Sequence, residues 1–131
     1  MNTSPPRVLI AENQYLIAME VERILQESLV CDVKITPVSG LANELSAGEF
    51  DIVIIDAASS EPLNVERATL VLSAGALPVF LSSYDHFPDA GTIVSSSPIL
   101  SKPPQADELA AAVIDAMRRK WLNSEGLLDD R

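Results

Sequence analysis

The sequence is poor in cysteine, with Cys31 alone among 131 residues. A single thiol cannot form a disulfide within the chain and leaves no second sulfur for a metal cluster, which excludes disulfide scaffolds and cysteine-based metal sites. This usage is typical of a reducing compartment. We predict that Cys31 is a buried small hydrophobic residue beside the second strand.

Basic residues are also scarce. Nine Lys and Arg stand against nineteen Asp and Glu, which gives a formal net charge of −10. Because affinity for a nucleic-acid backbone depends on cationic side chains, this balance argues against a sizeable nucleic-acid contact. Proteins are therefore the expected partners.

Long apolar segments are absent as well. The longest runs, at residues 51–55 and 77–81, have the length of a buried strand and are too short to span a bilayer. The first residues lack the charged and apolar regions of a secretory signal. We expect a cytoplasmic protein with no membrane contact, and the 47% of hydrophobic residues is sufficient for one packed domain.

What the sequence does contain is a regular alternation of β-branched runs and amphipathic helices. Strands are predicted at Arg7–Ala11, Val33–Ile35, Phe50–Ile55, Pro78–Ser82 and Ile99–Ser101. Helices are predicted at Asn13–Leu29, Leu41–Ala47, Val65–Ser73 and Gln105–Lys120. The segment Tyr84–Ser97 is rich in Gly and Ser and is predicted to hold at most a short helix.

This alternation predicts a doubly wound α/β fold. Each crossover must return the chain to the same edge in a right-handed way, so the five strands form a parallel sheet with helices on both faces. We expect the flavodoxin-like strand order 2-1-3-4-5, in which ligands bind beyond the carboxyl ends of strands one and three. The chemistry is therefore expected directly after Ala11 and Ile55.

Polar residues stand at the expected places. Glu12 and Asn13 follow the first strand, Asp56 follows the third, and Ser82 and Lys102 stand at the ends of the fourth and fifth. Taken singly, an aspartate after a strand is more often a turn former or a helix cap, and a loop serine usually bonds to the backbone. Their convergence on one rim of the sheet indicates a functional site.

This set of residues resembles the response-regulator receiver family. The matching segments are Val8–Asn13, Phe50–Asp56, Phe80–Tyr84 and Ser101–Pro103, and the resemblance covers about residues 7–120. It implies a receiver domain over residues 7–121, an N-terminal extension at 1–6 and an acidic C-terminal tail at 122–131. No basic linker to an output domain is evident, so a single-domain regulator is expected.

The resemblance implies that Asp56 accepts a phosphoryl group from a phosphohistidine of a histidine kinase or histidine phosphotransfer protein. The resemblance also implies that Lys102 contacts the phosphoryl oxygens and that the Ser82 hydroxyl donates a hydrogen bond to one of them. Ser83 is the alternative, because the fourth strand looks short by one residue. At most, the activity is Mg²⁺-dependent self-phosphorylation and autodephosphorylation at Asp56. The output is expected through a downstream protein, and the sequence leaves homodimer formation open.

The same resemblance implies a Mg²⁺ site formed by Glu12, Asn13, Asp56 and the main-chain carbonyl of Ala58. The family usually has an acid where this chain has Asn13. An amide oxygen can coordinate Mg²⁺ but brings no negative charge, so weakened binding is predicted. Asn13 is also a strong candidate for the N-cap of the first helix, and the two roles are compatible.

Other positions depart from the family pattern. The Met-Pro or Leu-Pro turn and the later Gly that usually follow the acceptor aspartate are missing, and Ile99 stands where the family has an aromatic switch residue. These differences favour an alternative, a degenerate receiver that binds proteins independently of phosphorylation. A flavodoxin-type cofactor binder is disfavoured, because no glycine-rich phosphate loop follows the first strand.

Overall fold

The computed structural model describes residues 5–83 and 97–124. The strands in this part of the chain are β1 (Arg7–Ala11), β2 (Asp32–Thr36), β3 (Ile52–Asp56), β4 (Leu77–Ser82) and β5 (Ile99–Ser101). The α-helices are α1 (Tyr15–Ser28), α2 (Leu41–Ala47), α3 (Glu61–Ser73) and α4 (Ala106–Ser124). A 3₁₀ turn at Val38–Gly40 leads directly into α2.

The five strands form one parallel sheet in the order β2-β1-β3-β4-β5. The flavodoxin-like doubly wound fold predicted from the sequence is therefore confirmed. In the register, Ala11 lies beside Ile55, Asp56 beside Leu81 and Ser82 beside Ser101. The carboxyl ends of β1, β3, β4 and β5 consequently form one continuous rim.

The two faces of the sheet bury different sets of side chains. Alternate residues of a strand point to opposite faces, so Val8 and Ile10 pack with α1 and α4, whereas Leu9 and Ala11 pack with α2 and α3. The helix faces predicted from the 3.6-residue period supply the outer layers. Fully or nearly fully buried on these faces are Val21, Ile24, Leu25, Leu109, Val113 and Ala116. Ile17, Ala112 and Met117 pack against the same core while partly exposed.

Several element boundaries differ from the predicted ones. Helix α3 begins at Glu61 instead of Val65, with Pro62 in its first turn, where a residue without an N–H loses no helical hydrogen bond. Helix α4 continues to Ser124, so residues 122–124 are helical instead of belonging to the expected tail. The rest of that tail and nearly all of the segment 84–97 lie outside the described residues.

Two smaller predictions concern Gly75 and Cys31. Gly75 ends α3 as predicted, with a φ of 86° that side chains with a Cβ rarely adopt. Cys31 is half-buried instead of buried, and it packs against the core between α1 and β2. Burial, followed by the negative charge of Asp32, raises the pKa of the Cys31 thiol. A raised pKa disfavours the reactive thiolate form, which agrees with a structural role.

Candidate functional site

The rim of the sheet brings three of the predicted residues into one ionic cluster. The Nζ atom of Lys102 lies 2.7 Å from Oδ1 of Asp56 and 3.0 Å from Oε1 of Glu12. The Lys102 side chain is 4% exposed, that of Glu12 is 0% exposed and that of Asp56 is 26% exposed. The ammonium therefore bridges a buried carboxylate and one that still reaches solvent.

Two opposing effects determine the pKa of Lys102. Burial of the ammonium lowers its pKa, but hydrogen bonds to Asp56 and Glu12 and the charges of both carboxylates outweigh this effect. The pKa therefore lies above its ordinary value. Lys102 is consequently a permanent cation at neutral pH, held between two carboxylates.

Glu12 has a further structural role at the start of α1. Its Oε2 atom accepts a hydrogen bond of 2.9 Å from the backbone N–H of Gln14, the residue that precedes the helix, and one of 3.2 Å from Lys102. Its other oxygen, Oε1, is buried and has the Lys102 ammonium at 3.0 Å as its ionic partner, with no further hydrogen-bond donor among the described residues. The Lys102 ammonium therefore lies against both oxygens of this buried carboxylate.

Asn13 does not cap α1, which corrects the prediction. The N-cap position is taken by Gln14, which forms no side-chain cap, and Asn13 lies one residue too early. Its Oδ1 atom instead accepts a hydrogen bond of 2.9 Å from the backbone N–H of Val38, at the 3₁₀ turn after β2. Asn13 therefore joins the loops that follow β1 and β2.

The main chain after β3 is held by two residues of α3 that the sequence analysis did not single out. Asn64 accepts a hydrogen bond from the Ala58 N–H at 2.8 Å and donates one to the Ala58 carbonyl at 2.9 Å. Arg67 donates from Nη1 to the Asp56 carbonyl at 2.8 Å. A spacing of three residues places both on one side of a helix, but Asn64 stands before the helix predicted at Val65–Ser73, so this signal required the correct start of α3.

Ser82 and Lys102 meet through the main chain. Ser82 is the last residue of β4 and is half-buried, whereas Ser83 beyond it is exposed. The Lys102 N–H donates a hydrogen bond of 3.1 Å to the Ser82 carbonyl, and the bond from Lys102 to Pro103 is cis. Ser82 at the end of β4 and Lys102 directly after β5 therefore lie side by side on the rim.

The donor atoms at the rim are chemically suited to a hard divalent cation. They are carboxylate oxygens of Glu12 and Asp56 and the carbonyl oxygen of Ala58, and oxygen is the ligand that Mg²⁺ prefers. In the part of the chain that the structure describes, Oε1 of Glu12 is contacted by the Lys102 ammonium alone, which leaves a carboxylate lone pair for a cation. Among the described residues, however, no group of three or more Asp, Glu, His or Cys side chains could enclose a metal. The residues therefore fit a cation held by two carboxylates, with an incomplete protein shell.

A further feature of β5 is the apolar residue at position 99. Ile99 stands where the receiver resemblance implies an aromatic residue, and it is half-buried against the α2 and α3 face of the sheet. In residues 5–83 and 97–124, no helix has the length and apolar character required to cross a membrane.

Comparisons with known proteins identify the fold. No family model and no curated protein matches the sequence. Among solved structures, the signal receiver domain of an HD domain-containing protein from Pseudomonas fluorescens Pf-5 is 22% identical with a TM-score of 0.69, over 90% of this chain and 98% of that chain. A CheY-like receiver domain protein from Methanospirillum hungatei JF-1 is 17% identical with a TM-score of 0.69, over 92% and 99%.

A third solved structure gives the same result. The receiver domain of the Francisella response regulator 1452 is 20% identical with a TM-score of 0.70, over 87% of this chain and 98% of that chain. At these identities the likeness concerns the fold. The chain has the fold of the response-regulator receiver domains.

Proposed function

We propose that this chain is a response-regulator receiver that accepts a phosphoryl group on Asp56 from a phosphohistidine donor. The observation that carries the proposal is the contact of 2.7 Å between Lys102 Nζ and Asp56 Oδ1 at the carboxyl rim of the sheet. A buried cation against a solvent-accessible carboxylate is suited to the negative charge of an incoming phosphoryl group. The donor is a histidine kinase or histidine phosphotransfer protein, and the output is a contact with a downstream protein.

The proposed reaction exchanges one bond to phosphorus for another. An oxygen of the Asp56 carboxylate attacks phosphorus while the bond from phosphorus to the imidazole nitrogen of the donor breaks. The electron pair of that bond returns to the imidazole, and Asp56 becomes an acyl phosphate. Water later attacks the acyl phosphate, which releases inorganic phosphate and restores the carboxylate.

Charge balance explains why this reaction would use a divalent cation. The carboxylates of Glu12 and Asp56 and the ammonium of Lys102 together carry one net negative charge, which opposes the approach of an anionic phosphoryl group. When Mg²⁺ is bound, it supplies positive charge to the phosphoryl oxygens during transfer. Glu12, Asp56 and the Ala58 carbonyl would hold it, with Asn13 as a further candidate ligand that brings no charge.

Lys102 and Ser82 complete the proposed set of catalytic residues. The Lys102 ammonium stabilises the phosphoryl oxygens, and the Ser82 hydroxyl donates a hydrogen bond to one of them, with Ser83 as the alternative. The support for Ser82 is its place at the end of β4. It pairs there with Ser101, the residue that precedes Lys102. We further propose a cytoplasmic location, which agrees with the single half-buried cysteine.

The proposal is tested by incubation with Mg²⁺ and acetyl phosphate, followed by intact-mass measurement. We expect a single phosphoryl adduct that is labile at alkaline pH and absent from Asp56→Asn. Lys102→Met should strongly reduce its formation, whereas Arg23→Met, which removes an exposed cation from α1, should not. No adduct on the wild-type chain, or an adduct that persists in Asp56→Asn, would contradict the proposal.

One observation favours a second candidate function, a degenerate receiver that binds proteins without control by phosphorylation. Asn13 lacks the charge of an acid, and its Oδ1 atom already accepts a hydrogen bond from Val38. Mg²⁺ titration of Asn13→Asp separates the two functions. Stronger binding and faster acetyl phosphate labelling than in wild type support a working cation site, whereas no labelling of either chain supports the degenerate receiver.

A further inference from the structure

The main chain of residues 56–58, the segment that carries the proposed acceptor, is held by hydrogen bonds to both β4 and α3. The Ala57 N–H donates to the Leu81 carbonyl of β4 at 2.7 Å, which continues the strand pairing one residue beyond β3. The Asp56 carbonyl accepts from Arg67 at 2.8 Å. The carbonyl and the N–H of the peptide bond between Asp56 and Ala57 are therefore both held by hydrogen bonds.

Asn64 holds the next residue in the same way. Its carboxamide pairs with both the N–H and the carbonyl of Ala58, at 2.8 Å and 2.9 Å, as a neighbouring strand would. Asn64 is only 9% exposed. Because a buried amide without partners is costly, these two hydrogen bonds define one conformation of the loop.

The sequence of the loop itself does not supply this conformation. Residues 57–60 are Ala-Ala-Ser-Ser, without the Gly or Pro that fixes a turn locally. Asn64 and Arg67 are three residues apart and therefore project from neighbouring positions on the same side of α3. Helix α3 is anchored to the sheet by its buried residues Ala68 and Val71. The helix thus provides a rigid base from which the loop is positioned.

We propose that Asn64 and Arg67 are positioning residues for phosphoryl transfer, which hold the main chain of residues 56–58 in the geometry that the reaction requires. This inference rests on the function proposed above. Arg67 holds the acceptor residue through its carbonyl, and Asn64 orients the Ala58 carbonyl that would contact the cation. Neither side chain needs to touch the phosphoryl group.

The first test measures how well the hydrogen bonds of Asn64 protect the loop, with neither cation nor phosphoryl donor present. Backbone amide hydrogen exchange of Ala58 is followed by NMR in wild type, Asn64→Leu and Asn64→Asp. Leucine has a similar size but no polar group, so we expect exchange at least about tenfold faster. Aspartate can still accept from the Ala58 N–H but cannot donate to its carbonyl, so the amide should stay protected.

The second test measures the rate of acetyl phosphate labelling at saturating Mg²⁺ and the concentration of Mg²⁺ that gives half the maximal rate. We expect both Asn64 variants and Arg67→Met to label at least about tenfold more slowly than wild type, because small displacements of reacting groups are costly. The Asn64 variants should also require more Mg²⁺. The matched control is Gly75→Ala, which strains the other end of α3 and should label at the wild-type rate.

The outcomes separate this inference from the proposed function. If wild type is labelled on Asp56 and Asn64→Leu and Arg67→Met are labelled equally fast, the positioning role is wrong and the proposed function stands. Equal slowing in Gly75→Ala also overturns it, since the effect would then follow from a loss of stability. Wild type without label overturns the proposed function and the positioning role with it, whatever the exchange of Ala58 shows.

Discussion

Substitution of Lys102 by methionine tests the ionic cluster most severely. Methionine preserves most of the side-chain length but removes the charge that neutralises Glu12 and Asp56. Removing one partner from a buried ion pair typically costs 3–5 kcal/mol, because the remaining charge stays desolvated. Glu12 is fully buried but Asp56 is 26% exposed, so we place the expected loss in the free energy of unfolding at about 3 kcal/mol.

The assay is urea denaturation at neutral pH, followed by far-ultraviolet circular dichroism. A second change, Glu12→Gln in the Lys102→Met background, removes the buried negative charge while its amide oxygen can still accept from the Gln14 N–H. We therefore expect it to recover at least about 1 kcal/mol. Arg23→Met, which removes the exposed ion pairs of α1, should leave the transition unchanged.

A free energy of unfolding of Lys102→Met within about 1 kcal/mol of wild type would contradict the burial of this ionic cluster. A further loss of stability when Glu12→Gln is added to Lys102→Met would contradict it as well. Either result would mean that the carboxylates are well solvated without the ammonium. The cluster would then be a surface ion pair of the kind that contributes little.

Three further predictions concern stability. Gly75→Ala should lower the free energy of unfolding by about 1 kcal/mol in urea denaturation, because φ is positive there and the space around an added Cβ is open; no loss would refute the backbone explanation. Gly40→Ala should lower the free energy of unfolding by about 1–3 kcal/mol in the same assay, since the added Cβ would overlap the Thr36 hydroxyl. Adding Thr36→Val should not recover this stability, because valine places a methyl group where the hydroxyl was. Because folding raises the pKa of Lys102, its contribution is not lost until the pH rises from the ordinary value of 10.5 through the folded value. The stability difference between wild type and Lys102→Met should therefore be constant from neutral pH to pH 10.5 and shrink above it, and a difference that grows there would reverse the assigned sign.

The fold was predictable because its signals are local and periodic. The apolar runs of β1 and β5 and the short α2 followed by Gly48 gave their bounds directly. Alternation of strands and helices then predicted a parallel sheet, for which the flavodoxin-like order is one of the common arrangements. The start of α3 was placed too late, because Pro62 was not interpreted as a first-turn residue, for which its missing N–H makes it well suited.

The candidate site was predictable only in part. Strand ends in a parallel sheet share one edge, so the proximity of Glu12, Asp56 and Lys102 follows from topology once the strands are identified. The hydrogen bonds of Asn13 and Asn64 did not follow, because a side-chain amide can pair with any nearby main-chain group and the partner depends on the loop conformation. The capping prediction for Asn13 was wrong for this reason, and the contacts of Asn64 were missed.

The central claim is that Asp56 accepts the phosphoryl group between Lys102 and Ser82. The most direct measurement is the electron density beside Asp56 in crystals grown with Mg²⁺ and beryllofluoride, a mimic of the bound phosphoryl group. We predict density joined to the Asp56 carboxylate and contacted by the Lys102 ammonium and the Ser82 hydroxyl. An unmodified Asp56 that keeps its contact with Lys102, in crystals with beryllofluoride in excess, would contradict the claim.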